Sequence, residues 1–274
     1  MRDDILVSVI VTTFNRKELL RDTINSILRQ TYNNFELIVV DNYSNYDFES
    51  FIQSFRSSKI KAFQNQNNGV IAVNRNFGLK QAKGDYIAFC DDDDIWLPNK
   101  LEKQIECFHE RDVEIISSSL IIFGDDIEKE YLFSRKYKNN FELFFENFFT
   151  PSSVIIKNPK CVFFCESKDF ICAEDWCFFL ELILRGYRYY QLDTPLIKYR
   201  FFASNMTKKN RINVQMQHVN VLKYLKKKYK KDFLTKYFVV GVGYQYFKYI
   251  VRLLFSPFLP VRNYIKRNIV KKVM

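Results

Sequence analysis

A chain of 274 residues, 47% hydrophobic and 27% charged, can hold one large α/β domain or a domain with an appendage, and it is long enough to bury a substantial core. Its net charge of +11 is unevenly placed: from Lys208 to Met274 there are 17 Lys and Arg against one acid, Asp232, which is +16 and leaves −5 for the rest. A nucleic-acid binder carries its positive charge on the domain with the site, so this split argues against nucleic acid and for a basic tail on anionic lipid.

The first residues, Met1 to Asp4, are polar and lead straight into an apolar strand with no basic start, apolar core and cleavage site, so the sequence predicts a chain that is not secreted. Six cysteines show no CxxC and read as plain buried thiols; Cys161, Cys165 and Cys172 lack the paired spacing of a zinc knuckle.

Leu6 to Val11 is a nearly continuous apolar run, as expected of a strand buried on both faces of a parallel sheet. A helix over Arg16 to Gln30 follows, with Leu19, Leu20, Ile24, Ile27 and Leu28 on one face and Thr13 or Asn15 as its cap. A second strand, Glu36 to Val40, ends in Asp41-Asn42-Tyr43-Ser44, whose side chains favour a turn. The pattern repeats as a strand at Lys61 to Gln64, a helix from about Val70 to Gln81, and a strand at Tyr86 to Cys90 running into Asp91-Asp92-Asp93-Asp94. This alternation predicts an α/β fold, a Rossmann-like, doubly wound, mostly parallel sheet with helices on both faces. Pro98 to Glu110 reads as another helix, Ile115 to Phe123 and Ser152 to Ile156 as strands, and Glu174 onward as an amphipathic helix. Beyond Thr207 the chain turns to Lys- and Tyr-rich helices, one starting at Val221 and one over Phe233 to Phe255. The longest uncharged stretch there, Tyr237 to Phe247, is 11 residues, below the roughly 18 needed to cross a bilayer. The expected division is therefore 1–207 for the domain with the site and 208–274 for a basic amphipathic tail.

Ligands of such a sheet bind beyond the carboxyl ends of its strands. Thr12-Thr13-Phe14-Asn15-Arg16, Asp41-Asn42 and Asp91 to Asp94 occupy those ends. Adjacent carboxylates about 4 Å apart repel by roughly 4 kcal/mol at an effective dielectric near 20, a cost that a bound cation relieves. Oxygen-only ligands suit Mg²⁺ or Mn²⁺, and Mg²⁺ takes one or two carboxylates together with phosphates and waters, so the cluster points to a phosphate-bearing substrate. An EF-hand is excluded by the missing glycine at its sixth position.

Val9 to Arg16, Val39-Val40-Asp41-Asn42, Asn68-Gly69 with Asn74-Arg75-Asn76-Phe77-Gly78, and Gly84 to Trp96 together resemble the family 2 glycosyltransferases of the GT-A fold. The resemblance continues through Pro151 to Ile156, Ala173-Glu174-Asp175-Trp176 and Tyr199-Arg200, roughly Val7 to Thr207. It implies an inverting, metal-dependent transferase of bacterial surface polysaccharide assembly, O-antigen or capsule, which moves a sugar from a nucleotide diphosphate, UDP foremost, to a carbohydrate or polyprenyl-diphosphate-linked acceptor. By the same resemblance, Thr12 and Asp41 hold the base, Arg75 lies near the nucleotide or its phosphates, and Asp91, Asp92 and Asp94 belong to the donor site. Asp91 faces ribose and metal, Asp93 the metal, and Asp94 the donor sugar. Asp175 is the general base, with Glu174 beside it, and Mg²⁺ or Mn²⁺ is the cofactor. One departure is Phe202, where many relatives carry a histidine; either Asp93, phosphates and water hold the metal, or Asn205 and Lys208 partly replace the contact. The expected location is cytoplasmic, peripheral at the inner face of the cell membrane.

Two other enzyme classes share parts of this pattern. In a phosphatase of the haloacid-dehalogenase type Asp91 would be the nucleophile and Asp93 the acid, yet that motif sits on an early strand and is followed by Thr or Val. A sugar-nucleotide synthase wants a Gly-rich loop near its start, and Val11 to Arg16 has no glycine. A carbohydrate-binding scaffold on a degenerate transferase would not need the intact acidic run and Asp175.

Overall fold

The computed structural model describes residues 5–124, 131–133, 142–201, 211–229 and 232–255. Strand β1 (Val7–Thr13) lies between β2 (Phe35–Asp41) and β4 (Tyr86–Asp91), parallel to both, so its peptide groups are bonded on either side and all seven residues are buried. Beyond β2 stands β3 (Ile60–Gln64), also parallel.

The remaining half of the sheet is mixed. Short β8 (Ile155–Lys157) runs antiparallel between β4 and β6 (Ile115–Phe123), β6 pairs in parallel with β9 (Tyr189–Arg200), and β5 (Ile95–Trp96) closes that edge antiparallel to β9. Strand β7 (Tyr131–Phe133) lies antiparallel beside β6. The order among the described residues is β3-β2-β1-β4-β8-β6-β9-β5.

Alternation along the strands splits the core into two layers. Val7, Val9, Val11, Leu37 and Val39 meet Leu20, Ile24 and Ile27 of α1 (Lys17–Leu28) and Leu101 and Ile105 of α4 (Lys100–Glu110). Ile10, Ile38, Val40, Ile87 and Phe89 face the other layer, with Ala72 of α3 (Ile71–Gln81), most of α5 (Glu174–Leu184), and Val221, Leu222 and Leu225 of α6 (Arg211–Tyr229). Burying each such aliphatic side chain contributes ~1.5–3 kcal/mol, and strands covered on both faces need the near-continuous apolar runs seen here. Gly78 lets α3 approach β1: a Cβ there would sit 2.6 Å from Ile10 Cγ2.

Several local expectations change. Helix α1 starts after Arg16 with no side-chain cap, because Thr13 donates to Asp92 and Asn15, at φ 55°, accepts from Asn45 N across the loop. The expected strand at Ser152 to Ile156 begins as a 3₁₀ turn, Pro151–Ser153, that places Ser152 Oγ to accept from Asp91 N. Helix α2 (Phe48–Gln53), capped by Asp47, and the long β9 were not expected. Helix α5 is buried nearly all round rather than on one stripe. Helix α6 starts at Arg211, not Val221, and joins the core of the main body; α7 (Asp232–Phe255) follows it. No described helix is long and apolar enough to cross a membrane.

Candidate active site

The chain leaves β1 toward β2 and β3, then returns to place β4 on the other side of β1. Neighbouring strands whose connections depart in opposite directions leave a crevice at their carboxyl ends. Thr12 and Asp91 are register partners there, and a cleft of about 490 Å³ opens over them. It is lined by Thr12, Arg16, Arg75 and Asp91 to Asp93 together with Phe149, Pro151, Glu174, Asp175 and Tyr199.

The four acids are not left to repel one another. Arg16 Nη1 bonds Asp92 Oδ1 at 3.0 Å and Asp93 Oδ2 at 2.8 Å, while Thr13 Oγ1 donates to Asp92 Oδ2 at 2.7 Å. Arg75 is 5% exposed, and its fork joins Asp91 Oδ1 at 3.0 Å to Glu174 Oε1 at 2.8 Å, beneath the Phe164 ring. Asp94 is fully buried and turned away from the cleft: its Oδ1 accepts from Arg200 N, and Arg200 Nε donates to the Asp93 carbonyl, both at 2.9 Å. Burial, with the charges of Asp91 and Asp92, pushes Asp93 up to about 7 against the pull of Arg16. Burial likewise raises Asp92, and it raises Asp94 well above the usual carboxylate range.

Across the cleft, the first turn of α5 presents Glu174 and Asp175. Asp175 Oδ1 accepts from Trp176 N at 2.6 Å, and its Oδ2 accepts from Asn147 Nδ2 at 3.2 Å. Burial raises Asp175, with Arg75 opposing, so the carboxylate is a better proton acceptor than one in water. Glu174 is 8% exposed and burial pushes it up to about 8, again against Arg75. Both adjacent carboxylates line the cleft, and they differ in partners: Glu174 is bonded to a buried guanidinium, whereas Asp175 is bonded to Trp176 N and the Asn147 amide.

Of the residues picked out in the sequence, the structure brings together Thr12, Arg75, Asp91, Asp92, Asp93 and Asp175 around this cleft. Asp41 is not among its lining residues; it lies fully buried at the end of β2, accepting from Ser44 N at 2.9 Å and Gln64 Nε2 at 3.0 Å. Arg75, expected near the nucleotide or its phosphates, lines the cleft and spans two carboxylates, and Asp94, bonded to Arg200 N, is not among the lining residues. Phe202, Asn205 and Lys208 lie outside the described residues. Two site residues had no role in the sequence reading. Arg16 stands in the polar stretch that follows β1, a position where ligands bind, whereas Asn147 sits in an irregular stretch with no pattern to single it out.

Among the described residues, no three His, Cys, Asp or Glu side chains form a cage for a metal. The donor set fits an ion held in part by phosphate: Asp91 and Asp93 are hard oxygen ligands, and burial together with the charges of Asp91 and Asp92 raises Asp93, a cost that a divalent cation would relieve.

A parallel βαβ core with a switch-point cleft, an acidic strand end and carboxylates at a helix start defines an α/β protein with a ligand crevice at the carboxyl ends of its strands. The comparisons make this specific: the model of Glycosyl transferase family 2 matches residues 8–169, and the chain belongs to that family. WfaP of Escherichia coli, a UDP-Glc:alpha-D-GlcNAc-diphosphoundecaprenol beta-1,3-glucosyltransferase, is 30% identical over 218 residues, 80% of this chain and 86% of WfaP. WfgD of Escherichia coli, which has the same activity in its name, is 35% identical over 144 residues, which is 50% of this chain and only 57% of WfgD. In fold, the chain is similar to the mannosyltransferase PcManGT of Pyrobaculum calidifontis, solved with GDP-Man and Mn²⁺, at TM-score 0.64 and 16% identity over 87% of this chain and 69% of that one.

Proposed function

We propose that this chain transfers one sugar, with inversion, from a nucleotide diphosphate of the UDP class to a polyprenyl-diphosphate-linked carbohydrate at the inner face of a bacterial membrane. The observation that carries the reading is the pairing across one cleft of the Asp91-Asp92-Asp93 strand end with Asp175. Thr12, which lines the cleft, would meet the nucleotide, and Arg16, with its side chain 46% exposed, can leave Asp92 and Asp93 for the diphosphate. Mg²⁺ or Mn²⁺ held by Asp93 and Asp91 would neutralise the leaving diphosphate. Asp175 takes the proton of the acceptor hydroxyl as that oxygen forms a bond to the anomeric carbon; the bond from that carbon to the diphosphate oxygen breaks, and the electron pair leaves with the nucleoside diphosphate. Attack from the face opposite the leaving group inverts the centre, and no second carboxylic acid is needed.

The names of WfaP and WfgD support the donor and the lipid-linked acceptor. The test is a panel of UDP-, GDP- and dTDP-sugars offered to the purified chain with a diphosphoundecaprenol-linked acceptor. A UDP-sugar should be consumed and the new linkage should have the opposite anomeric configuration by NMR; retention of configuration, or no transfer from any donor, would reject the reading.

A further inference from the structure

Five of the eight large hydrophobic side chains left exposed among the described residues lie on α7: Val239, Val240, Tyr246, Phe247 and Ile250, from 38% to 64% exposed. At 3.6 residues per turn, these positions share roughly one third of the helix circumference. The opposite side bolts the helix to the body. Gln245 is fully buried; its Nε2 donates to the Phe145 carbonyl at 2.6 Å and its Oε1 accepts from His218 Nδ1 at 3.4 Å. Tyr244 OH and Lys248 Nζ each donate to Glu146 Oε1 at 2.9 Å, and a Cβ on Gly241 would lie 3.3 Å from Leu222 and from the Phe144 carbonyl. Single exposed apolar residues are ordinary, but a continuous stripe on a well-anchored helix marks a contact surface.

Charge decides the occupant. The segment that contains α7, 208–274, is +16, a balance that favours an anionic leaflet over a second copy of the same segment. An amphipathic helix with Val, Ile, Phe and Tyr on one side, set in a basic segment, lies in a lipid interface, and this helix is not apolar enough to cross one. The grip on Phe145 and Glu146 ends one residue before Asn147, the donor to Asp175 Oδ2. We infer that the Val239 to Ile250 stripe of α7 seats on an anionic lipid bilayer and that Glu146 and Asn147 tie the seated helix to Asp175. The seating stands apart from the proposed chemistry; the tie to Asp175 rests on it.

The full chain is tested by co-sedimentation with vesicles of phosphatidylcholine alone or with about one third phosphatidylglycerol. Wild type should partition onto the anionic vesicles and less so in high salt; the double variant Val240→Asp/Phe247→Asp should partition at least tenfold less with its thermal midpoint and UDP affinity unchanged. Equal partition of variant and wild type overturns the seating. So does a wild-type dimer that the variant turns into a monomer by ultracentrifugation while vesicle binding persists, because the face then belongs to a second copy. For the tie, Asn147→Ala and Glu146→Ala should both shift the acid limb of kcat to higher pH, as Asp175 Oδ2 loses the fixed Asn147 donor; an unmoved limb in Glu146→Ala refutes it. Absence of sugar transfer in wild type would reject the functional reading and with it the tie, while the vesicle data still decide the seating.

Discussion

Replacing Arg75 with Met removes a guanidinium that is 5% exposed and bonded to two carboxylates, while keeping a side chain that can pass beneath Phe164. Breaking a buried ion pair by deleting one partner costs ~3–5 kcal/mol, since the remaining charge is left desolvated. Against a typical net stability of ~5–15 kcal/mol that is a large share, easily read from urea unfolding. The loss should depend on pH in a definite direction. Glu174 already has a folded-state value of about 8 against an ordinary 4.5, and losing Arg75, which lowers it, moves it higher. A carboxyl with a raised folded-state pKa contributes stability that is complete below its unfolded value and is lost as pH rises through the folded one. The variant should therefore lose most at pH 8.5 and less at pH 6, where Glu174 takes up a proton. A loss under ~1 kcal/mol at both pH values, or a larger loss at pH 6, would refute the assignment of Arg75 as the counter-ion of Asp91 and Glu174.

Gly78→Ala should cost ~1–3 kcal/mol by forcing its new methyl against Ile10, and adding Ile10→Val, which trims that contact, should recover part of the loss; no recovery in thermal unfolding would place the strain elsewhere. Asp93, raised from 3.8 to about 7, makes the free protein less stable as pH rises between those values. Mn²⁺ with UDP should consequently raise the thermal midpoint more at pH 8 than at pH 5, and equal shifts would deny that the cation relieves this cluster.

The parallel half of the sheet is legible because its strands are buried on both faces: the runs Val7 to Val11 and Leu37 to Val40 admit no other period, and the acid run at the end of β4 marks the ligand edge by its position alone. The mixed half is not. Strand β9 carries Asp193 and Pro195 and is largely half-exposed, with a register shift against β6 between Ser118 and Leu120, so no alternation survives in it. Charge partners are also hidden from the sequence. Sequence reasoning expects a bound cation to relieve Asp91 to Asp94, and it cannot foresee that the guanidinium groups of Arg16 and Arg75 reach Asp91 to Asp93 from different elements while Arg200 N bonds Asp94. Asp41 shows the converse: a strand-end acid in the right motif whose carboxylate is taken up by Ser44 and Gln64. The boundary at Thr207 follows composition; α6, which starts beyond it at Arg211, packs Val221, Leu222 and Leu225 into the core with α5.

The most direct test of the account is Asp175→Asn, which keeps the size and the bond from Asn147 within reach but removes the proton acceptor. UDP-sugar affinity by calorimetry should stay within about twofold while turnover to the lipid-linked acceptor falls by ~10²–10⁴, the usual weight of a general base. Near-normal turnover in Asp175→Asn, with the donor still bound, would contradict the account.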